Sequence, residues 1–224
     1  MKRARWVILS LLAACEAPSP SPSPSPPSPS LPWIRGLSAA NVRDTPTSQA
    51  AQRIANLLDT STQDDYGALE LQSDLTGDSR AETILASYRL GIVVSDAQGH
   101  VLTRAPGFDA EGSADELLAI ASGDAQIGAP VVVAAVQTGG HRETTISLAV
   151  YSMVGGGALR LAFFAPIEIR DGDRTAAGSL TFVGAGLLYR APDARFTAPW
   201  TYDARRGCYR ESDPAPTNVV PGHE

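Results

Sequence analysis

The sequence predicts a mainly β protein: antiparallel sheets, sandwich-like or arranged as partial propeller-like blades, with two short helices. Three observations carry this reading. Beyond Tyr66, short β-rich runs alternate with Gly/Asp turns, the pattern of an antiparallel meander. The run Pro130-Val131-Val132-Val133-Ala134-Ala135-Val136 is apolar enough for a central strand covered on both sides. Helical spacing is confined to two short stretches.

Taken in order, the folded part is expected over 33–211, ample for one hydrophobic core and read as a single mostly β globular domain. A first helix is expected to start near Pro46 and to carry Ala50, Ile54, Leu57 and Leu58 on one face. The run Leu69-Glu70-Leu71-Gln72 then alternates, and a turn follows at Asp74–Arg80. Strands are expected at Glu82–Tyr88, Gly91–Val94 and His100–Leu102, the last two joined through Asp96-Ala97-Gln98-Gly99. A second helix is expected where Ser113 stands three before Glu116 as a capping box, with Leu117, Leu118 and Ile120 behind it and Gly123 as its stop.

After the apolar run at 130–136, Thr144–Met153 and Leu159–Ile169 are expected to pair around Gly155-Gly156-Gly157. Thr76–Thr83 and Thr138–Thr144 form a weak repeat, each leading into an apolar strand. The last block predicts strands at Ser179–Val183, Gly186–Arg190 and Ala198–Asp203, then a hairpin around Ala204-Arg205-Arg206-Gly207. Residues 212–224 are Pro-rich and acidic, the composition of a disordered tail.

The N-terminus is of another kind. A basic head, Lys2, Arg3 and Arg5, precedes the apolar run Trp6–Leu12, which is short for a membrane span and typical of a secretory signal peptide over 1–14. The ending Leu12-Ala13-Ala14-Cys15 resembles the lipobox of bacterial lipoproteins. That resemblance implies cleavage before Cys15, lipidation of its thiol and new amino group, and attachment to a membrane through acyl chains. In enterobacterial lipoproteins an Asp after the cysteine is an inner-membrane retention signal; Glu16 here leans towards the outer membrane of a Gram-negative envelope. Residues 15–32 are the lipidated cysteine and a Ser/Pro-rich spacer, expected to be extended polyproline II. At ~3.1 Å per residue its reach is on the order of 50 Å.

Charge narrows the partners. Cleavage removes Lys2, Arg3 and Arg5, so 18 basic residues become 15 against 24 acidic ones, a net −9. Nucleic acid is not expected to be a partner, because its binding rests on neutralising phosphates. An anionic lipid surface would not attract this chain either, so the membrane attachment must come from the lipid. With Cys15 spent on the anchor, Cys208 is the sole remaining thiol and no internal disulfide is possible. His100, His141 and His223 lie apart, without metal-ligand spacing, and no nucleophile-elbow motif occurs.

Two constellations remain. The turn Asp74-Leu75-Thr76-Gly77-Asp78-Ser79-Arg80-Ala81-Glu82 offers oxygens at alternate positions, as a calcium loop does: the carboxylates of Asp74, Asp78 and Glu82, the Thr76 hydroxyl and the Arg80 carbonyl. An Asp/Gly turn shaped by backbone geometry alone is the alternative. From Ser73 to Leu102 this stretch resembles the FG-GAP and VCBS repeats, whose loop runs Asp-x-Asp-Gly-Asp-Gly-x-x-Asp between two strands; Thr76, Ser79 and Glu82 depart from that pattern. The resemblance implies a bound calcium ion. The second constellation is aromatic. Trp200 and Tyr202 should share one strand face, with Arg205 and Arg206 close by, a platform for a partner if exposed and core if buried.

The expected function is a lipid-anchored envelope lipoprotein acting as a non-catalytic binding or scaffolding module, its partner an envelope protein or polysaccharide. The alternatives are an envelope hydrolase with dispersed acidic catalytic residues, or a purely structural tether from outer membrane to wall.

Overall fold

The computed structural model describes residues 34–35, 39–42, 68–108, 116–123, 130–140, 142–154, 157–184 and 186–212. Fifteen strands run through them: β1 Ile34–Arg35, β2 Ala39–Val42, β3 Ala68–Ser73, β4 Glu82–Ser87, β5 Gly91–Ser95, β6 Val101–Ala105, β7 Glu116–Gly123, β8 Val131–Gly139, β9 Glu143–Val154, β10 Ala158–Asp171, β11 Arg174–Ala177, β12 Ser179–Val183, β13 Gly186–Arg190, β14 Ala198–Asp203 and β15 Cys208–Glu211. They form three sheets, ordered β1-β12-β13-β14-β15, β11-β10-β9-β8-β7-β2 and β3-β4-β5-β6. Every pairing is antiparallel except β1 with β12, which is parallel.

The six-stranded sheet is the middle layer, and β8 shows why. Every side chain from Val131 to Val136 is buried. Successive strand residues point to opposite faces. Accordingly Val131, Val133 and Ala135 join the core shared with the five-stranded sheet. Val132, Ala134 and Val136 join the core shared with the four-stranded sheet. Strand β9 divides likewise, Ile146, Leu148 and Val150 to one side and Ala149 and Tyr151 to the other. The doubly covered strand expected at 130–136 is this one.

Three short connections explain the meander of the four-stranded sheet. Gly99 takes a positive φ of 86° in the β5–β6 turn, where Asp96 Oδ1 accepts the backbone N–H groups of Gln98 and His100. Gly91 opens β5 with a φ of 87°, and a Cβ there would stand 2.1 Å from the Ala105 carbonyl oxygen, so only glycine fits. The third connection, 74–81, is the loop discussed below.

One element is corrected. The helix expected from Ser113 to Gly123 is strand β7 over Glu116–Gly123, seated between β8 and β2 in the middle sheet. Glu, Leu and Ala favour helix in isolation, but here the segment is buried on both faces, and burial in a sheet outweighs propensities of a few tenths of a kcal/mol. A bulge between Leu117 and Ala119 leaves Leu118 and Ala119 both on the side of the five-stranded sheet, while Leu117 and Ile120 enter the other core. Among the described residues there is no helix; the one expected from Pro46 to Leu58 lies outside them, as do Cys15, the 15–32 spacer and residues 213–224 of the tail.

Candidate functional site

The loop between β3 and β4 is built by its own carboxylates. Glu82 is buried at the start of β4, where its Oε2 accepts the Leu75 N–H at 2.6 Å and the Thr76 N–H at 3.1 Å. Its Oε1 accepts the Thr76 hydroxyl at 3.0 Å. Asp74 receives the Gly77 N–H at 2.6 Å on Oδ1 and the Ser79 N–H at 2.9 Å on Oδ2. Asp78 Oδ1 receives the Arg80 N–H at 2.9 Å. The loop thus turns its donors inward onto three acids, while Leu75 plugs the core beneath. Gly77 and Ser79 both take left-handed conformations, with φ of 76° and 67°.

Ligand oxygens of Asp74, Asp78 and Glu82 lie within 4.8 Å of one another, so this cluster could hold a metal ion. Thr76 and Arg80, the other two expected ligands, stand in the same loop, with the Thr76 hydroxyl already donated to Glu82.

The aromatic block is organised differently from a free platform. Phe163 of β10 meets Tyr189 at 5.4 Å, Trp200 at 5.1 Å and Tyr209 at 6.4 Å between ring centroids, each edge to face. Tyr202 lies tilted against Tyr209 at 5.2 Å between ring centroids and donates its hydroxyl to Ser152 Oγ at 2.9 Å. Tyr189 donates to the Pro166 carbonyl at 2.6 Å. Trp200 and Tyr202 share a strand face, which is packed against the middle sheet. Arg205 and Arg206 are exposed in the β14–β15 turn, where Asp203 Oδ1 accepts both their N–H groups and its Oδ2 lies 3.7 Å from Arg206 Nε. Cys208 is half-buried beside that turn with its thiol free. His100 pairs with Asp96 at 2.9 Å, and the His100 backbone N–H is the chief reason the Asp96 carboxyl is held below its ordinary value.

A third feature has no counterpart in the sequence reading. A cleft of about 450 Å³ opens between the end of β6 and the face of β9 and β10, lined by Ala105, Pro106, Gly107, Phe108, Tyr151, Leu159, Arg160, Leu161 and Phe164. Its walls are fixed. Gly107 lies so close to the Arg89 carbonyl that a Cβ would come within 1.9 Å of that oxygen. The Phe108 N–H therefore reaches the Tyr88 carbonyl at 2.9 Å. This sets the Phe108 ring 6.0 Å from Tyr88 and 6.1 Å from Tyr151. Opposite, the Leu159 N–H donates to Thr103 Oγ1 at 2.9 Å and ties β10 to β6. Burial pushes the Tyr151 phenol up to about 12.

Leu161 and Phe164 remain 51% and 55% exposed on the rim. A signal for them exists in the sequence. Adjacent residues on a strand face opposite ways, so Phe163-Phe164 cannot both enter one core. Phe163 goes to the aromatic cluster and Phe164 to the cleft.

No protein-family model, curated protein or solved structure matches this chain.

Proposed function

We propose that the protein is a lipid-anchored envelope lipoprotein, tethered through Cys15 to the outer membrane, that binds a ligand or partner rather than transforming one. The 15–32 spacer would hold the β domain off the bilayer. The observation that supports binding is the cleft: a preformed concavity lined by apolar and aromatic side chains, with two large ones left exposed. Its lining includes one phenol, that of Tyr151, a group suited to holding and orienting.

The two halves of the proposal separate experimentally. Cys15→Ala should abolish metabolic labelling by palmitate and release the protein from the membrane fraction; continued membrane retention without acylation would overturn the tether. For binding, an environment-sensitive apolar dye should brighten on the native protein. Phe164→Asp, which sets a charge on the exposed rim, should remove that signal without lowering the melting temperature. An unchanged dye signal would place the apolar surface elsewhere.

For the 74–82 loop the reading is calcium, supported by three carboxylates with oxygens within 4.8 Å of one another and by an Asp78 Oδ2 that takes no hydrogen bond among the described residues. An ion that binds the folded loop and not the unfolded chain stabilises the fold, by about 2.7 kcal/mol at a hundred times its dissociation constant. Melting should therefore be compared in millimolar calcium, magnesium and chelator, in the parent and in Asp78→Ala. A melting temperature indifferent to calcium reduces the loop to a carboxylate-capped turn.

A further inference from the structure

We infer that the outer face of the four-stranded sheet is a docking surface within the chain, covered by the segment 43–67. The inference stands apart from the binding reading above. Alternate residues of β4 and β5 face opposite ways. Ile84, Ala86, Ile92 and Val94 enter the core shared with the middle sheet, so the cross-strand partners Leu85 and Val93 face away from it. They belong to neither core, yet each is 0% exposed, and Ser95 on the same face is also buried. The five-stranded sheet shows what a bare outer face looks like: there Val183 and Leu188 stay 53% and 39% exposed. In the row Glu70-Leu85-Val93-Arg104 the flanking side chains do not close the face, since Glu70 accepts a hydrogen bond from Gln72 and Arg104 is exposed.

Side chains without exposure in a single chain are covered by that same chain. The strands packed on this sheet, β2, β7 and β10, all belong to the middle sheet, on its other side. The cover is therefore sought outside the described residues. There, 109–115 read Asp-Ala-Glu-Gly-Ser-Ala-Asp, and 124–129 hold one large apolar side chain, Ile127. The tail offers Val219 and Val220, neighbours that point apart when the chain is extended. The stretch 15–32 is Ser/Pro-rich, and 1–14 are the expected signal peptide. The segment 43–67 differs from all of these. It carries Ala50, Ile54, Leu57 and Leu58 at the spacing of one helical face, a stripe with apolar surface to bury. It also runs directly into Ala68, the first residue of edge strand β3, and so arrives beside the face it would cover. Setting that stripe on Leu85 and Val93 removes both apolar surfaces from water.

The test uses the full chain with Cys15→Ala and Cys208→Ser, so that one introduced thiol reports on one site. Val93→Cys places it on the outer face and Val94→Cys in the core between the sheets. Maleimide should label both slowly in the folded protein. Leu57→Ala should speed labelling at Val93→Cys, leave Val94→Cys protected and lower the melting temperature by roughly 5 °C or more. Asn56→Asp, off the apolar stripe, should change neither rate. Ile54→Asp should open the outer face further; if it unfolds the domain, both thiols react and Leu57→Ala carries the comparison. Rapid labelling of Val93→Cys with Leu57 and Ile54 in place would mean a bare face and overturn the inference. Protection unmoved by Leu57→Ala and Ile54→Ala together would overturn it as well. Its loss on stopping the chain after Ser212, or on dilution, would then name the tail or a second copy as the cover.

Discussion

Replacing Glu82 measures how the β3–β4 loop is held. Its carboxylate collects three donors: the buried Leu75 N–H, the half-buried Thr76 N–H and the Thr76 hydroxyl. In Glu82→Ala the hydroxyl can turn to water, but two backbone donors lose their acceptor. Each orphaned donor costs about 1–3 kcal/mol; the lower end for Thr76 and the middle for Leu75 give about 3 kcal/mol. A domain of this size loses about 2–4 °C of melting temperature per kcal/mol, so a fall of roughly 6–12 °C is expected. Glu82→Gln should behave otherwise. With its oxygen in the Oε2 position the amide still accepts both N–H groups, and its NH₂ donates to Thr76 Oγ1 with that hydroxyl reversed. Only the charge assistance is lost, about 1 kcal/mol. Thermal and urea unfolding by circular dichroism, in chelator so that no divalent ion contributes, separates the two variants. If Glu82→Gln costs as much as Glu82→Ala, charge and not the bonding pattern holds the loop. If Glu82→Ala costs under about 0.5 kcal/mol, the loop is held by something else.

Three further outcomes follow from positions described above. Gly91→Ala places a methyl against the Ala105 carbonyl at a φ of 87° and should cost about 3 kcal/mol or more, read as a lowered urea midpoint. Ser79→Gly should raise stability by roughly 0.5–1 kcal/mol, because Ser79 holds a left-handed φ of 67° that glycine adopts freely; no gain would mean that its side chain compensates. Burial raises the phenol pKa values of Tyr151, Tyr189 and Tyr209, with Asp193 adding to Tyr189 and Tyr202 to Tyr209. The unfolded chain therefore releases these protons near pH 10 while the folded protein keeps them. Stability should be complete below about pH 10 and fall from there through about 12, and Tyr151→Phe should flatten that fall. Tyr209→Phe should in addition cost nothing at pH 7, because its hydroxyl is buried and finds no hydrogen-bond partner among the described residues.

Much of the strand order was readable where turns punctuate the chain. Asp96–Gly99 and Ala204–Gly207 announce hairpins through residues that tolerate positive φ, and the strands on either side form where expected. The Val131–Val136 run was readable for the opposite reason: six apolar residues without alternation need two covering layers. Strand β7 was not, because covering both its faces erases the period of two and leaves only propensity, which for Glu-Leu-Leu-Ala points to helix. The three acids of the 74–82 loop were readable as a cluster; that each would be spent on backbone donors depended on the left-handed turn at Gly77 and Ser79. The cleft was unreadable for a different reason. It joins residues from 105–108 to residues from 151–164 across two sheets, and nothing local links them.

The parallel pairing of Ile34 with Leu180 and Arg35 with Thr181 has a consequence for how the chain assembles. The first strand finds its partner only at the far end of the sequence, so a chain threaded from its N-terminus presents β1 long before β12 exists. Closing so long a loop costs more than closing a hairpin, and two paired residues return little against it. The β12–β15 meander, all hairpins, can form first and accept β1 last. Until then β12 stands as an open edge, with unpaired N–H and C=O groups that another copy of the chain could use in β1's place. Slow arrival of a two-residue strand thus sets how long a nascent molecule stays vulnerable to joining its neighbour.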